Sequence, residues 1–196
     1  MEASLLPEEE RTAAALLDPL AVPLLDMCDR MAVNLSPELG GVFLINCFVL
    51  LRDVIAPYAP AEALFRQLTL RIDAAVAVVC DAEARLLLTR SQLQPCLDAI
   101  LEAGDGVNLS SLSGMDAKSL AENVRSLEGS VVGEAGLVLG TSAKVQDARA
   151  REKIRAAVIA KLVDTYEVLH KIVHDPRNNY PDQVMQYTPS QFKLLL

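Results

Sequence analysis

"AEALFRQLTLRIDAAVAVVCDAEARLLL", Ala61–Leu88, carries the cleanest periodicity of the chain. Leu64, Leu68, Ile72, Ala75, Val79, Ala82 and Leu86 step by three or four residues, which places them on one stripe of a helix. At 1.5 Å per residue such a helix is about 40 Å long. A stripe of that length must be covered by neighbouring elements.

Those elements also read as helices. Upstream, Thr12–Leu35 is helical in pattern but contains Pro19 and Pro23. Asp18-Pro19 has the form of a helix start, Asp as cap and Pro in the first turn, with Leu20, Leu24, Met27 and Met31 recurring behind it. Ser36-Pro37 makes a second start, and that helix is expected to run to about Ala56 before Pro57-Tyr58-Ala59-Pro60 ends it. A shorter helix is expected over Gln92–Glu102. Ala103–Asp116 is a loop by composition, and Asp116 is placed to cap "AKSLAENVRSLEG". In Gly129–Ser142 the valines permit strand and the glycines interrupt any regular element. A last long helix is expected from about Ala143 to Val173, with Ile154, Val158, Leu162, Thr165, Leu169 and Ile172 as its stripe. Asp175-Pro176 stops it. The expectation is an all-α, elongated helical bundle of about five to seven helices. Residues 1–142 form its N-terminal part, with a long flexible loop near 104–116. Residues 143–196 form the long helix and a folded-back tail, within one continuous helical domain.

Composition supports a buried core. The chain has 196 residues, is 52% hydrophobic, and has four Phe, four Tyr and no Trp, so Leu, Ala and Val must fill its interior. A formal net charge of -8 and the lack of a basic arm argue against a nucleic-acid partner. The basic residues between Lys144 and Lys171 alternate with Asp147, Glu152, Asp164 and Glu167, the pattern of a solvated helix face. Cys28, Cys47, Cys80 and Cys96 form no C-x-x-C pair and lie among apolar residues, which predicts buried free thiols and a reducing compartment. Asn34-Leu35-Ser36 and Asn108-Leu109-Ser110 fit the glycosylation triplet and are read as unused. The start is acidic, unlike a targeting segment. The longest apolar run, Gly41–Leu51, holds Asn46 and falls short of the about 20 residues that span a bilayer, so membrane association is expected to be peripheral or through a partner.

Three constellations invite a chemical reading. Glu167, His170 and His174 share a helix face, with Asp175 next to them, but the spacing of a zinc protease is missing. Histidines at a helix C-terminus also gain from the helix dipole without a metal. Gly133, Gly136 and Gly140, followed by Thr141-Ser142, resemble a phosphate loop whose Lys144 is displaced. A nucleotide-binding or enzymatic helical module built on residues 133–144 is therefore the alternative function. No serine elbow exists, and the carboxylates are scattered. Expected catalytic, cofactor and metal residues are none. The function expected from these residues is the presentation of helix surfaces to partners.

The ending "VHDPRNNYPDQVMQYTPSQFKLLL", Val173–Leu196, carries a family resemblance. An Asp-Pro pair closing a long helix, then Asn and Tyr, then Thr-Pro-x-Gln before a Leu-Leu end, resembles the C-terminal signature of subunit 6 of the conserved oligomeric Golgi complex. The residues concerned are Asp175, Pro176, Asn178, Tyr180, Pro181, Asp182, Thr188, Pro189, Gln191, Phe192, Leu195 and Leu196. Leu17-Asp18-Pro19-Leu20, Leu24–Cys28, the "FLIN" at Phe43–Asn46 and the helix from Gln67 to Arg90 are similar to further family segments. Tyr187, Phe192 and the order Pro181-Asp182 depart from the pattern. The family's subunit is several hundred residues long, and the chain resembles its C-terminal part. The resemblance implies a non-enzymatic scaffold subunit of a vesicle-tethering complex, acting in intra-Golgi retrograde transport. It implies a peripheral place on the cytosolic side of the Golgi membrane and no cofactor. The partners implied are the other subunits of its lobe (5, 7 and 8), with membrane-fusion proteins and coiled-coil tethers as further candidates.

For the tail itself, Thr188-Pro189-Ser190-Gln191 has the form of a capping box with Pro in the first turn. A helix so short cannot stand alone. Asp175, Pro176, Asn178, Tyr180, Thr188, Pro189, Gln191, Phe192 and Leu195 are the candidate contact residues, with Tyr180 and Phe192 as anchors on the long helix. A docking peptide for another subunit asks for the same apolar residues, and a frayed end is the third alternative.

Overall fold

A computed structural model describes residues 8–57, 62–103, 107–132 and 137–196. Among them are seven α-helices and no strand: α1 (Glu8–Ala32), α2 (Pro37–Ile55), α3 (Glu62–Arg90), α4 (Leu93–Glu102), α5 (Ala117–Val132), α6 (Ala148–Val173) and α7 (Pro189–Leu195). The protein is all-α. The chain divides into two compact units, Met1–Cys80 with Gly140–Ile154, and Asp81–Leu139 with Arg155–Leu196. The division falls inside α3 and inside α6.

In the first unit α1 departs from expectation. It does not start at Asp18-Pro19 but runs unbroken through Pro19 and Pro23. The two prolines lie four residues apart and both are exposed, so their rings project from α1 into solvent and not into the core. The buried stripe is also shifted. Leu25, Cys28 and Ala32 face the core, whereas Leu20, Met27 and Met31 of the expected stripe are exposed. Helix α2 starts at Ser36-Pro37 as its sequence suggests, although the Ser36 side chain makes no capping bond. It buries Val42, Ile45, Phe48 and Val49.

Gly40 and Gly41 let α2 approach its neighbours closely. A Cβ on Gly40 would lie 2.9 Å from the Ala32 carbonyl oxygen, and one on Gly41 would lie 2.7 Å from a Val79 methyl group. Asn46, the polar residue inside the apolar run, has a structural use. Its amide donates to the Lys144 carbonyl (3.1 Å) and accepts from the Gln146 N–H (2.8 Å), pinning the segment before α6.

Helix α3 buries Leu64, Leu68, Ile72, Ala75 and Val79 as its periodicity predicts. Beyond Cys80 the stripe moves: Ala84, Leu87 and Leu88 are buried and Leu86 is exposed, a drift expected when a straight helix outruns one fixed spacing. Helix α6 begins at Ala148, not near Ala143. Ser142–Lys144 forms a 3-10 turn, and Asp147 caps the helix by accepting from the Ala150 N–H at 2.7 Å. Its buried line includes Ile154, Val158, Leu162, Tyr166, Leu169 and Val173, so Tyr166 and Val173 take places expected of Thr165 and Ile172.

In the second unit Asp116 caps α5, accepting from the N–H groups of Lys118 and Ser119 at 3.1 Å each. Helix α5 continues past Gly129 to Val132. Gly133 and Gly136 lie outside the described residues. All four cysteines are free; Cys28, Cys80 and Cys96 are buried and Cys47 is half-buried. Burial and the neighbouring Cys28 push the Cys47 thiol up to about 11, so it is a poor nucleophile at neutral pH.

Candidate protein-contact site

The tail is built from local caps upward. Asp175 accepts from the Arg177 N–H at 3.0 Å and starts a 3-10 turn over Pro176–Asn178. The Arg177 guanidinium beside it holds the Asp175 carboxyl below its usual range. Asn178 is buried and joins distant segments. Its amide donates to the Ile172 carbonyl at the end of α6 (2.9 Å), and its oxygen accepts from the Leu109 N–H (3.0 Å). Tyr180 donates to the Met115 carbonyl at 2.6 Å, just ahead of α5. Burial raises its phenol to about 12, so it remains a donor at any ordinary pH.

At the far end, Thr188 and Gln191 form the full capping box: the Gln191 N–H donates to Thr188 Oγ1, and the Thr188 N–H donates to Gln191 Oε1. Pro189 occupies the first turn. The box orients Phe192, which is fully buried and stacked on Tyr166 of α6, with ring centroids 4.1 Å apart and planes within 7°. Leu194 is exposed and Leu195 half-buried.

Three features of this site lie outside the candidate residues read from sequence. Tyr166 donates toward two oxygens, Glu128 Oε1 at 2.6 Å and the Tyr187 carbonyl at 3.0 Å. Glu128 is buried on the inner face of α5, four residues from Val124 and beside Leu127. A carboxylate at an apolar position of a helical stripe is the signal that the sequence carried. Leu109 has no such signal, because its partner Asn178 is 69 residues away.

The Glu167–His170–His174 set does not converge. The two imidazoles stack with centroids 4.0 Å apart, His174 Nδ1 lies 2.8 Å from the His170 carbonyl oxygen, and Asp175 is engaged by Arg177. Burial, and then His174, hold the His170 imidazole below its ordinary value. Among the described residues no three His, Cys, Asp or Glu side chains form a metal-ligand group. Of the glycine-rich stretch, Gly140 is described, and the Lys144 backbone is bonded to Thr141 and Asn46.

The first unit carries a separate surface. A groove of about 400 Å³ is lined by Ala32, Val33, Gly41, Leu44, Phe48 and Ala75, among others. Arg71 pairs with Asp29 at this groove and lies 5.8 Å from the centre of the Phe48 ring. Along α1, Leu20, Val22, Met27 and Met31 are also exposed. No helix among the described residues is long and apolar enough to cross a membrane.

Helices that expose apolar side chains, with a tail tied down by buried polar bonds, define an all-α helical module. Residues 2–196 match the family model described as Conserved Oligomeric Golgi complex subunit 6, C-terminal, and the chain belongs to that family. It is 26% identical over 160 residues to a conserved oligomeric Golgi complex subunit 6 of Dictyostelium discoideum, covering 80% of this chain and 24% of that protein. To the subunit 6 of Rattus norvegicus it is 23% identical over 200 residues, covering 100% of this chain and 30% of that protein. To the Arabidopsis thaliana subunit 6 it is 24% identical over 157 residues, covering 79% and 23%. The chain thus spans less than a third of the length of these relatives. No solved structure matches it.

Proposed function

We propose that this chain is a non-enzymatic scaffold module of a Golgi vesicle-tethering complex, acting in intra-Golgi retrograde transport by protein–protein contact. The carrying observation is the family match over residues 2–196. The exposed apolar residues of α1 support the reading, because an apolar line flanked by polar residues is the surface that a partner helix covers. The partners are the other subunits of its lobe (5, 7 and 8), with membrane-fusion proteins and coiled-coil tethers as further ones. Its place is peripheral, on the cytosolic side of the Golgi membrane, and it needs no cofactor. The contact residues of the tail, Asp175, Pro176, Asn178, Tyr180, Thr188, Pro189, Gln191, Phe192 and Leu195, act by fixing this end of the module in one shape.

Co-purification with recombinant subunits 5, 7 and 8 tests the proposal. At least one subunit is retained by the wild-type chain and lost by a Met27→Asp, Met31→Asp variant whose helical circular dichroism and urea midpoint are unchanged. Failure to retain any subunit overturns the reading. Submillimolar binding of a magnesium nucleotide, abolished by Gly140→Val, would favour the nucleotide-binding alternative.

A further inference from the structure

Glu128 stands where a carboxylate is costly. It is 3% exposed, and its Oε2 has no hydrogen-bond partner. The Gln186 backbone N–H, as a hydrogen-bond donor to the carboxyl, favours the ionised form, but burial outweighs it, and Oε2 itself stays unpartnered. Burying an ionised carboxylate with one oxygen unsatisfied is expensive, and such groups neutralise instead. The neighbouring hydroxyl adds a second constraint. Tyr166 has one proton and lies within hydrogen-bond distance of two acceptors, Glu128 Oε1 at 2.6 Å and the Tyr187 carbonyl at 3.0 Å. If Glu128 is ionised, both oxygens compete for that proton. If Glu128 is protonated on Oε1, it donates to Tyr166 Oη, and the Tyr166 hydroxyl is free to donate to Tyr187. Every close contact then has a donor and an acceptor. The orphan oxygen becomes a neutral carbonyl oxygen.

We propose that Glu128 is a neutral carboxylic acid in the folded protein, and that its proton completes a relay from α5 through Tyr166 to the Tyr187 carbonyl, a latch that loosens the tail when the proton is lost. Tyr187 lies directly before the Thr188 cap of α7, and Phe192 of the same helix stacks on the ring of Tyr166. One aromatic side chain therefore holds the tail twice, by its face and by its hydroxyl.

Few other groups compete for control. Arg125, on Glu128's own helix, favours the ionised form from a distance, and burial outweighs it. From α6 the facing group is Tyr166, whose phenol is raised by burial and by Glu128, so it stays protonated. From the tail they are the Gln186 backbone N–H, which favours the ionised form, and the Tyr187 carbonyl, which reaches the pair through Tyr166. From α4, Cys96 meets Asn123, not Glu128. Helix α7 contributes the uncharged Phe192.

The sign of the linkage is fixed. The folded carboxyl keeps its proton above the pH at which an unfolded Glu, near about 4.3, has lost it. Between the two pKa values the folded state binds more protons. Stability is therefore greatest below the unfolded value and falls as pH rises toward the folded one, by up to about tenfold in the folding constant per pH unit.

The test uses the 196-residue chain. Carboxyl carbon-13 NMR of Glu128 is followed from pH 3 to pH 9 together with amide exchange of residues 188–195, corrected for intrinsic exchange chemistry. A midpoint above the ordinary glutamate value is expected. Tail protection should fall as pH rises from the ordinary glutamate value toward that midpoint, by up to about tenfold per pH unit, and level off above it. In Glu128→Gln, which keeps a neutral donor in place, protection should stay at the low-pH level throughout. A Glu128 midpoint at or below the ordinary value overturns the proposal, and that measurement needs no variant to fold. A raised midpoint with pH-independent tail protection, or the same pH dependence in Glu128→Gln, overturns the latch.

Discussion

Helix α1 and the tail after α6 are held in opposite ways. The first is a long helix that, apart from the bonds lost at Pro19 and Pro23, pairs its backbone within itself, and its described residues give the core little more than Leu25, Cys28 and Ala32. The second is mostly turns, yet it buries Asn178, Val184, Met185 and Phe192. Regularity and anchorage are therefore separate properties. A long helix needs no distant partner for its N–H groups and can leave an apolar face open. A chain of turns has no internal ladder, so its polar groups must find partners elsewhere, and those partners tie it down.

Phe192→Ala should break the comparison most severely. It removes a fully buried ring and its stack on Tyr166, and should cost about 3–5 kcal/mol in urea-induced unfolding. A cost below about 1 kcal/mol would show that the tail carries little of the stability of its unit. Gly41→Val attacks the first unit at its tightest approach. Its side chain meets Val79 and the Ala75 carbonyl, so a loss of about 1–3 kcal/mol by the same measurement is expected.

Thr188→Ala sharpens the comparison at the level of a single cap. It removes the acceptor for the Gln191 N–H and should cost about 1 kcal/mol, with faster amide exchange confined to α7. The smallest change belongs to α1. Leu20→Ser with Met27→Ser should shift stability by no more than about 0.5 kcal/mol per site, since both side chains already face water. A larger loss by thermal unfolding would mean that this face is already covered within the chain.

The same contrast explains what could be read from the sequence at the site. The Asp175-Pro176 stop, the Thr188–Gln191 capping box and the apolar character of Phe192 are local patterns, complete within a few residues. The bonds of Asn178 to Leu109, Tyr180 to Met115 and Asn46 to the backbone of Lys144 and Gln146 join segments far apart in the chain. Side-chain type says that such polar groups can bond; it does not say with what.

The sequence by itself determined that the chain is helical and roughly where most helices stop, because periodicity, caps and prolines act through neighbours within one or two turns. Tertiary structure decided which side of α1 is buried. Leu24 and Leu25, or Met27 and Cys28, are equally apolar, and only the surface opposite selects between them. It also decided that Pro19 and Pro23 could stay inside a helix, since their cost depends on whether their rings face solvent or the core. The pairing of Glu128 with Tyr166 belongs to the same class: a contact between α5 and α6 exists only after both have packed.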